Sequence, residues 1–298
     1  MKKNKTNSPK AWLLACRPKT LTGAAAPIIV ALAMAWADGA SFVQLRVWLP
    51  ALLCLLFAFL MQICANLVND YFDCKRGIDG ADRLGPKRAC AQGWITLPAM
   101  RRGIAVSVVL SLCVGLPTSY WGGWQLLVIG ALCVLFAFLY TTWFSHKGLG
   151  DLLVVVFFGI VPVCATYYVL LHDLTYSVLL VSLAMGLVTD TLLMVNNYRD
   201  RDTDAKVGKR TLVVRVGARR SEHIYLGLGI LAVVLCQCQW AEQRPLAALL
   251  PLLFLLPHCL VWHSIRRIRK GTELNAVLGK TALCIFLFSV LFALGCLF

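Results

Sequence analysis

Residues 49–79 read LPALLCLLFAFLMQICANLVNDYFDCKRGID. The first seventeen positions carry no charge; Asn66, Asn69, Asp70, Asp73, Lys75, Arg76 and Asp79 then follow within fourteen residues. An apolar run of about 20 residues is the length that crosses the hydrocarbon of a bilayer. In lipid the backbone N–H and C=O groups have no water to bond, so such a run is helical. A second stretch of the same design runs from Thr175 to Thr211. It is apolar apart from Asp190 until it closes on NNYRDRDTDAKVGKRT at 196–211. The cores Val68–Asp73 (VNDYFD) and Val195–Asp200 (VNNYRD) are identical or nearly so at five of six positions, at a constant offset of 127 residues. A repeat at fixed spacing constrains the architecture before any local reading does.

The rest of the chain has the same character. It is 59% hydrophobic and 14% charged over 298 residues, more apolar surface than a soluble domain hides. Apolar runs bounded by charge or turn residues predict nine membrane-spanning helices, near 20–37, 49–69, 103–120, 124–143, 150–171, 175–197, 222–240, 246–264 and 276–297. The expected fold is all-α: one polytopic membrane domain over 1–298. It comprises two parallel repeats (about 11–143 and 150–264), an extra helix (about 276–297) and two cap loops at 70–102 and 198–221. Within the first loop, Thr96-Leu97-Pro98 has the pattern of a capped helix start.

Nine spans alternate the connections between two sides. Of the 29 Lys and Arg residues, 26 then fall on one side; Arg46 and Arg244 lie on the other, and Lys280 lies one turn into the last span, where it can snorkel. By the positive-inside rule the basic side is cytoplasmic, and both polar stretches are on it. The net charge of +15 is therefore read as topology, with no nucleic acid as partner. The basic N-terminus before Thr20–Trp36 resembles a signal peptide, but the apolar segment is too long and a retained first helix is expected. The thirteen cysteines are scattered without a CxxC pair, only a CxC at Cys236 and Cys238, and read as small apolar residues.

The chemistry is in the two polar stretches. Asn66, Asp70 and Asp73 fall at i, i+4 and i+7; Asn197, Asp200 and Asp204 fall at i, i+3 and i+7. On helices each set forms a stripe. Two carboxylates 4 Å apart repel by about 4 kcal/mol at an effective dielectric of 20, so a cation belongs between facing stripes. Oxygen donors of this kind suit a hard ion such as Mg²⁺, held jointly with phosphate oxygens. Bases follow each stripe: Lys75, Arg76, Arg83 and Gly85-Pro86-Lys87-Arg88 after the first, Lys206 and Gly208-Lys209-Arg210-Thr211 after the second. Acids for a metal and bases for phosphate oxygens together describe a metal–diphosphate site. Asp190, alone inside a span and two turns before Asn197, is read either as reaching the same cavity or as a neutral buried acid.

These motifs resemble those of the UbiA-type intramembrane prenyltransferases. Asn69, Asp70, Asp73 and Asp79 match the family's NDxxDxxxD pattern, with Asp79 six rather than four residues after Asp73. Asp200, Asp204, Gly208 and Thr211 match DxxxDxxxGxxT. Within the family, Arg17-Pro18-Lys19-Thr20, Arg83-Leu84-Gly85-Pro86, Phe158-Gly159, Ala165-Thr166-Tyr167-Tyr168 and Asn196-Asn197-Tyr198-Arg199-Asp200 resemble the branch acting on 1,4-dihydroxy-2-naphthoate. The resemblance implies an Mg²⁺-dependent transfer from a polyprenyl diphosphate to that aromatic acid with loss of carbon dioxide, in a bacterial cytoplasmic membrane and without an obligatory protein partner. It implies catalytic and metal-binding roles for Asp70, Asp73, Asp200 and Asp204, with Asp79 as a further ligand. Substrate contacts are expected from Arg17, Asn66, Asn69, Tyr71, Lys75, Arg88, Tyr140, Lys147, Asn197, Tyr198, Lys206, Lys209 and Arg210. Arg17 would hold the aromatic carboxylate, and Tyr71 and Tyr198 would line the path of the allylic cation. A 4-hydroxybenzoate prenyltransferase of the same family and, from another class, a secondary transporter are the competing readings.

Overall fold

The structure, a computed structural model, describes residues 5–77 and 83–298. Its secondary structure is entirely helical among these residues, and nine helices are long and apolar enough to cross a membrane. They are α1 (Pro9–Ala37), α2 (Leu45–Lys75), α3 (Leu97–Gly122), α4 (Gln125–Thr142), α5 (Gly150–Leu171), α6 (Tyr176–Lys206), α7 (Ala218–Trp240), α8 (Pro245–Ile268) and α9 (Leu274–Leu297). Each expected span is present. The chain is a multi-pass membrane protein.

The expected loops at 70–102 and 198–221 begin later than the sequence implied. Both α2 and α6 run on as 31-residue helices through the acidic stretches, to Lys75 and Lys206. Polarity ends a lipid-facing run, but it does not end a helix whose polar side chains face an internal cavity. What ends both helices is glycine: Gly77 (φ 68°) and Gly208 (φ 76°) take the left-handed conformation just past the last turn. Their N–H groups donate to Cys74 O and Ala205 O.

The second difference lies at the start of α1. Its first turns, Pro9–Cys16, are capped by Ser8, whose side chain accepts from the Ala11 N–H. The helix then breaks at Arg17, which sits at φ 50° before Pro18. Proline disfavours a helical residue before it, and a non-glycine residue at positive φ is held only by firm surroundings. Asn66 supplies them, its side-chain N–H₂ donating to Cys16 O (3.1 Å) and Thr20 Oγ1 (2.9 Å). The expected helix start at Thr96 is present, its hydroxyl accepting from the Ala99 N–H.

Helix α6 is the most buried of the nine and forms the axis of the molecule. It meets α5 at a turn of π-helix, Val156–Ile160, where a Cβ on Gly159 would lie 2.3 Å from Gly186 Cα. Only two glycines allow backbones so close. One apolar cluster joins α1, α5, α6, α7, α8 and α9. A smaller one packs Ala11, Ala15, Leu67 and Met100 around Ala89, Cys90 and Ile95, so residues 83–96, the described stretch leading into α3, are a folded cap seated on the bundle.

Candidate active site

Helices α1–α6 and α9 surround a cavity of about 1260 Å³. Its inner part is walled by apolar side chains, among them Phe57, Met61, Leu127, Phe157, Val161 and Ile285. Its polar end is lined by the last turns of α2 and α6.

The two helices match most closely by their ends. Lys75 and Lys206 both close a helix two residues after an aspartate, which sets an offset of 131 rather than 127. At that offset Asn66, Asn69 and Asp73 pair with Asn197, Asp200 and Asp204, both sets spaced i, i+3, i+7. All six side chains line the cavity. The sequence repeat and the cavity-facing rows thus differ by one helical turn.

This shift turns Asp70 away from the cavity. It lies one residue past Asn69, about 100° further round the helix. Asp70 is 1% exposed and does not line the cavity. Its carboxylate accepts from the backbone N–H groups of Ala89 (2.9 Å) and Cys90 (3.1 Å) and so anchors the cap. Burial, reinforced by the Asp70 charge, pushes the Cys90 thiol up to about 12.

The three cavity-facing carboxylates are each paired with a base. Arg88 of the cap reaches Asp73 at 3.1 Å, and Lys209 reaches Asp204 at 3.4 Å. Arg199 binds Asp200 through Nε (2.8 Å) and Nη2 (2.6 Å). Arg199 is buried and also donates to Asn196 Oδ1 and to Asn275 Oδ1 of α9, both at 2.8 Å. Asn275 in turn donates to Leu84 O of the cap (2.9 Å). A Cβ on Gly85 would lie 2.8 Å from Arg199 Nη2, so this glycine lets the cap close on the guanidinium. One arginine thereby ties together α6, α9 and the cap. Its role, and that of Asn275, had no signal in the repeat, because neither position recurs in the first copy.

Arg17, Arg88, Lys209, Tyr140, Asn66, Asn69 and Asn197 line the cavity, together with Arg83 and Lys87. Thr141 donates to Asn69 Oδ1 and joins α4 to the first row. Other expected contacts fall elsewhere, because helix geometry turns them away. Tyr71 stacks edge-on against Phe72 in the smaller apolar cluster. Tyr198 points at α7, where its hydroxyl donates to Glu222 Oε1 (2.7 Å) and Arg201 covers its ring. Lys75, Lys206 and Arg210 are exposed and outside the lining, and Lys147 lies over Trp143. Asp190 is buried beside Asp151 rather than in the cavity; its Oδ1 and both Asp151 oxygens lack hydrogen-bond partners. Asp79 lies outside the described residues.

The donor set suits Mg²⁺. It consists of carboxylate and amide oxygens, and Asp204 Oδ2 is buried with no partner. Among the described residues no three Asp, Glu, His or Cys side chains are close enough to complete a metal site. The shell therefore needs oxygens from a ligand, the usual arrangement for Mg²⁺ with phosphates.

Comparison with known proteins gives the family and the fold. The model of the UbiA prenyltransferase family matches residues 24–290. The 1,4-dihydroxy-2-naphthoate octaprenyltransferase of Escherichia coli (strain K12) is 35% identical, covering 99% of this chain and 97% of that protein. The protein of the same description from Mycobacterium tuberculosis is 34% identical over 94% of each. Among solved structures, a UbiA homologue from Aeropyrum pernix K1 superposes with a TM-score of 0.70 at 14% identity, covering 91% of this chain and 96% of that one. A UbiA homologue from Archaeoglobus fulgidus, solved with DMAPP and Mg²⁺, gives 0.62 at 14% identity over 94% and 98%. The chain belongs to the UbiA prenyltransferase family. It is an enzyme of prenyl transfer, which sets the transporter reading aside.

Proposed function

We propose that the protein transfers a polyprenyl group from polyprenyl diphosphate to 1,4-dihydroxy-2-naphthoate, releasing diphosphate and carbon dioxide and giving demethylmenaquinol. The observation that carries this reading is the pair of matched rows, Asn66/Asn69/Asp73 and Asn197/Asp200/Asp204, at the mouth of a long apolar cavity. The acceptor is favoured by the 35% identity, over nearly the whole chain, to an E. coli enzyme of that description.

The residues divide the work by position. Asp73, Asp200 and Asp204 would hold Mg²⁺, which when bound would offset the negative charge of the diphosphate. Arg83, Lys87, Arg88 and Lys209 ring the same mouth and take the remaining phosphate oxygens by charge-assisted hydrogen bonds. Arg88 and Lys209 can exchange their carboxylate partners for phosphate, freeing Asp73 and Asp204. As the bond from allylic carbon to diphosphate oxygen breaks, its electron pair leaves with the diphosphate, and fixed bases at the mouth stabilise that charge. The electron-rich ring supplies the pair for the new carbon–carbon bond, and the bond from ring to carboxylate breaks, its electron pair returning to the ring as carbon dioxide leaves. Apolar walls keep water from the cation, and the cap anchored by Asp70 closes the mouth. Arg17, beside the mouth and outside the acid–base pairs, orients the acceptor carboxylate. The mouth is assigned to the cytoplasmic side by the distribution of Lys and Arg.

The test is an acceptor assay on purified protein with a polyprenyl diphosphate, with and without Mg²⁺, read by product mass. Prenylated, decarboxylated product from 1,4-dihydroxy-2-naphthoate and none from 4-hydroxybenzoate is the expected result. The reverse preference would leave the family intact and overturn the acceptor.

A further inference from the structure

On the lipid side of the bundle, away from the cavity, α8 and α9 form an antiparallel pair joined by the five residues 269–273. A second cavity of about 260 Å³ lies between them, lined by His263, Ser264, Arg267, Ala276, Val277 and Lys280. Arg267 and Lys280 are exposed, and neither has an acidic partner among the described residues. Their neighbours differ: Arg266 is paired with Glu222 and Lys270 with Asp202. The end of the bundle is the one that bears the acidic rows, since Asn275 in the first turn of α9 binds Arg199.

Helical spacing extends the pattern into the membrane. Leu256, Leu260, His263 and Arg267 fall at i, i+4, i+7 and i+11, one stripe of α8. Ala276, Lys280, Leu283 and Leu287 form the matching stripe of α9. Leu256, Leu260 and Leu283 are among the most exposed leucines of the chain, at 71%, 63% and 70%. His263 lies five residues before the end of α8 and Lys280 six residues after the start of α9, so both sit about 8–9 Å into the bundle. Arg267 lies one turn above His263. The cleft is thus cationic at the membrane surface and apolar immediately below.

We propose that this cleft binds an anionic phospholipid, its phosphate held by Arg267 and Lys280 and its acyl chains lying along Leu256, Leu260 and Leu283. Charge complementarity selects the anionic headgroup. Arg267 at the surface and Lys280, which lies about a turn and a half deeper and snorkels toward it, line the same cleft and give a single phosphate two cationic contacts. The leucine stripe specifies a lipid over a soluble phosphate, which has nothing to lay against it. Lys280 thereby gains a role beyond snorkelling: it is one wall of a headgroup site.

The test uses the full chain in neutral detergent, with binding of palmitoyl-oleoyl phosphatidylglycerol and of the matching phosphatidylcholine followed by native mass spectrometry. Phosphatidylglycerol is expected to bind preferentially, and Arg267→Ala/Lys280→Ala to weaken it by roughly tenfold or more. Phosphatidylcholine binding and the prenyl-transfer rate in detergent should not change. Melting in detergent reports folding, and Lys280→Gln alone serves if the double variant does not fold. Equal binding of the two lipids, or undiminished phosphatidylglycerol binding by the folded variant, overturns the site. So does displacement of the lipid by glycerol 3-phosphate at matched concentration, which would make this a soluble-anion site.

Discussion

Asn69 and Asp70 are neighbours in sequence with different tasks. Asn69 faces the cavity and accepts from Thr141; Asp70 faces the cap and accepts from two backbone N–H groups. Replacing Asp73, Asp200 or Asp204 by Asn should leave the protein folded and lower kcat by roughly 10²–10³-fold, measured at saturating Mg²⁺. Asp70→Ala should act differently. It strands two buried N–H groups, at a cost of about 1–3 kcal/mol, and frees the segment bearing Arg83, Lys87 and Arg88. The expected outcome is a lower melting temperature and a raised KM for the prenyl diphosphate, with the Mg²⁺ concentration giving half-maximal rate unchanged. A shift in that Mg²⁺ midpoint would return Asp70 to the metal. For Arg17→Ala, loss of one charge-assisted contact should raise the acceptor KM by roughly tenfold and leave the diphosphate KM near its starting value.

Two elements depend on glycine for close approach. Gly159 and Gly186 let α5 and α6 touch backbone to backbone at the π turn, which fixes one wall of the cavity. Gly85 lets the cap rest on Arg199, a side chain already committed to Asp200, Asn196 and Asn275. A guanidinium held by that many partners has little freedom to move aside. Gly85→Val should therefore displace Arg199 or lift the cap, lowering kcat/KM by roughly 10–100-fold while the bundle itself melts normally. Circular dichroism together with the turnover assay separates this local effect from unfolding.

At the scale of the molecule, α7 and α8 do not line the cavity; they support α6 from outside through the Tyr198–Glu222–Arg266 chain. The nine membrane-length helices among the described residues, with the basic side cytoplasmic as proposed, predict that the ends of α1 and α9 nearest the termini lie on opposite sides of the membrane. A C-terminal alkaline phosphatase fusion should be active outside the cytoplasm, and the same reporter fused after Lys206 should not be. An active fusion at Lys206 would contradict the cytoplasmic placement of the acidic rows.

Length and hydropathy were enough to determine nine helices, because a bilayer permits no other way to satisfy the backbone of a long apolar run. Both acidic stretches, the bases after them and the cap's helix start at Thr96 are legible in the same way, since each rests on residues near one another in sequence. Hydropathy places the helix ends too early, because it cannot tell a polar residue facing water from one facing an internal cavity. Residue identity aligns the repeat at an offset of 127, whereas the helix ends set 131. Which residue of each turn faces inward depends on how α2 and α6 are rotated against their neighbours, and packing decides that. Arg199 and Asn275 became part of the site only when α6, α9 and the cap met, a contact between residues 76 positions apart that no local pattern encodes.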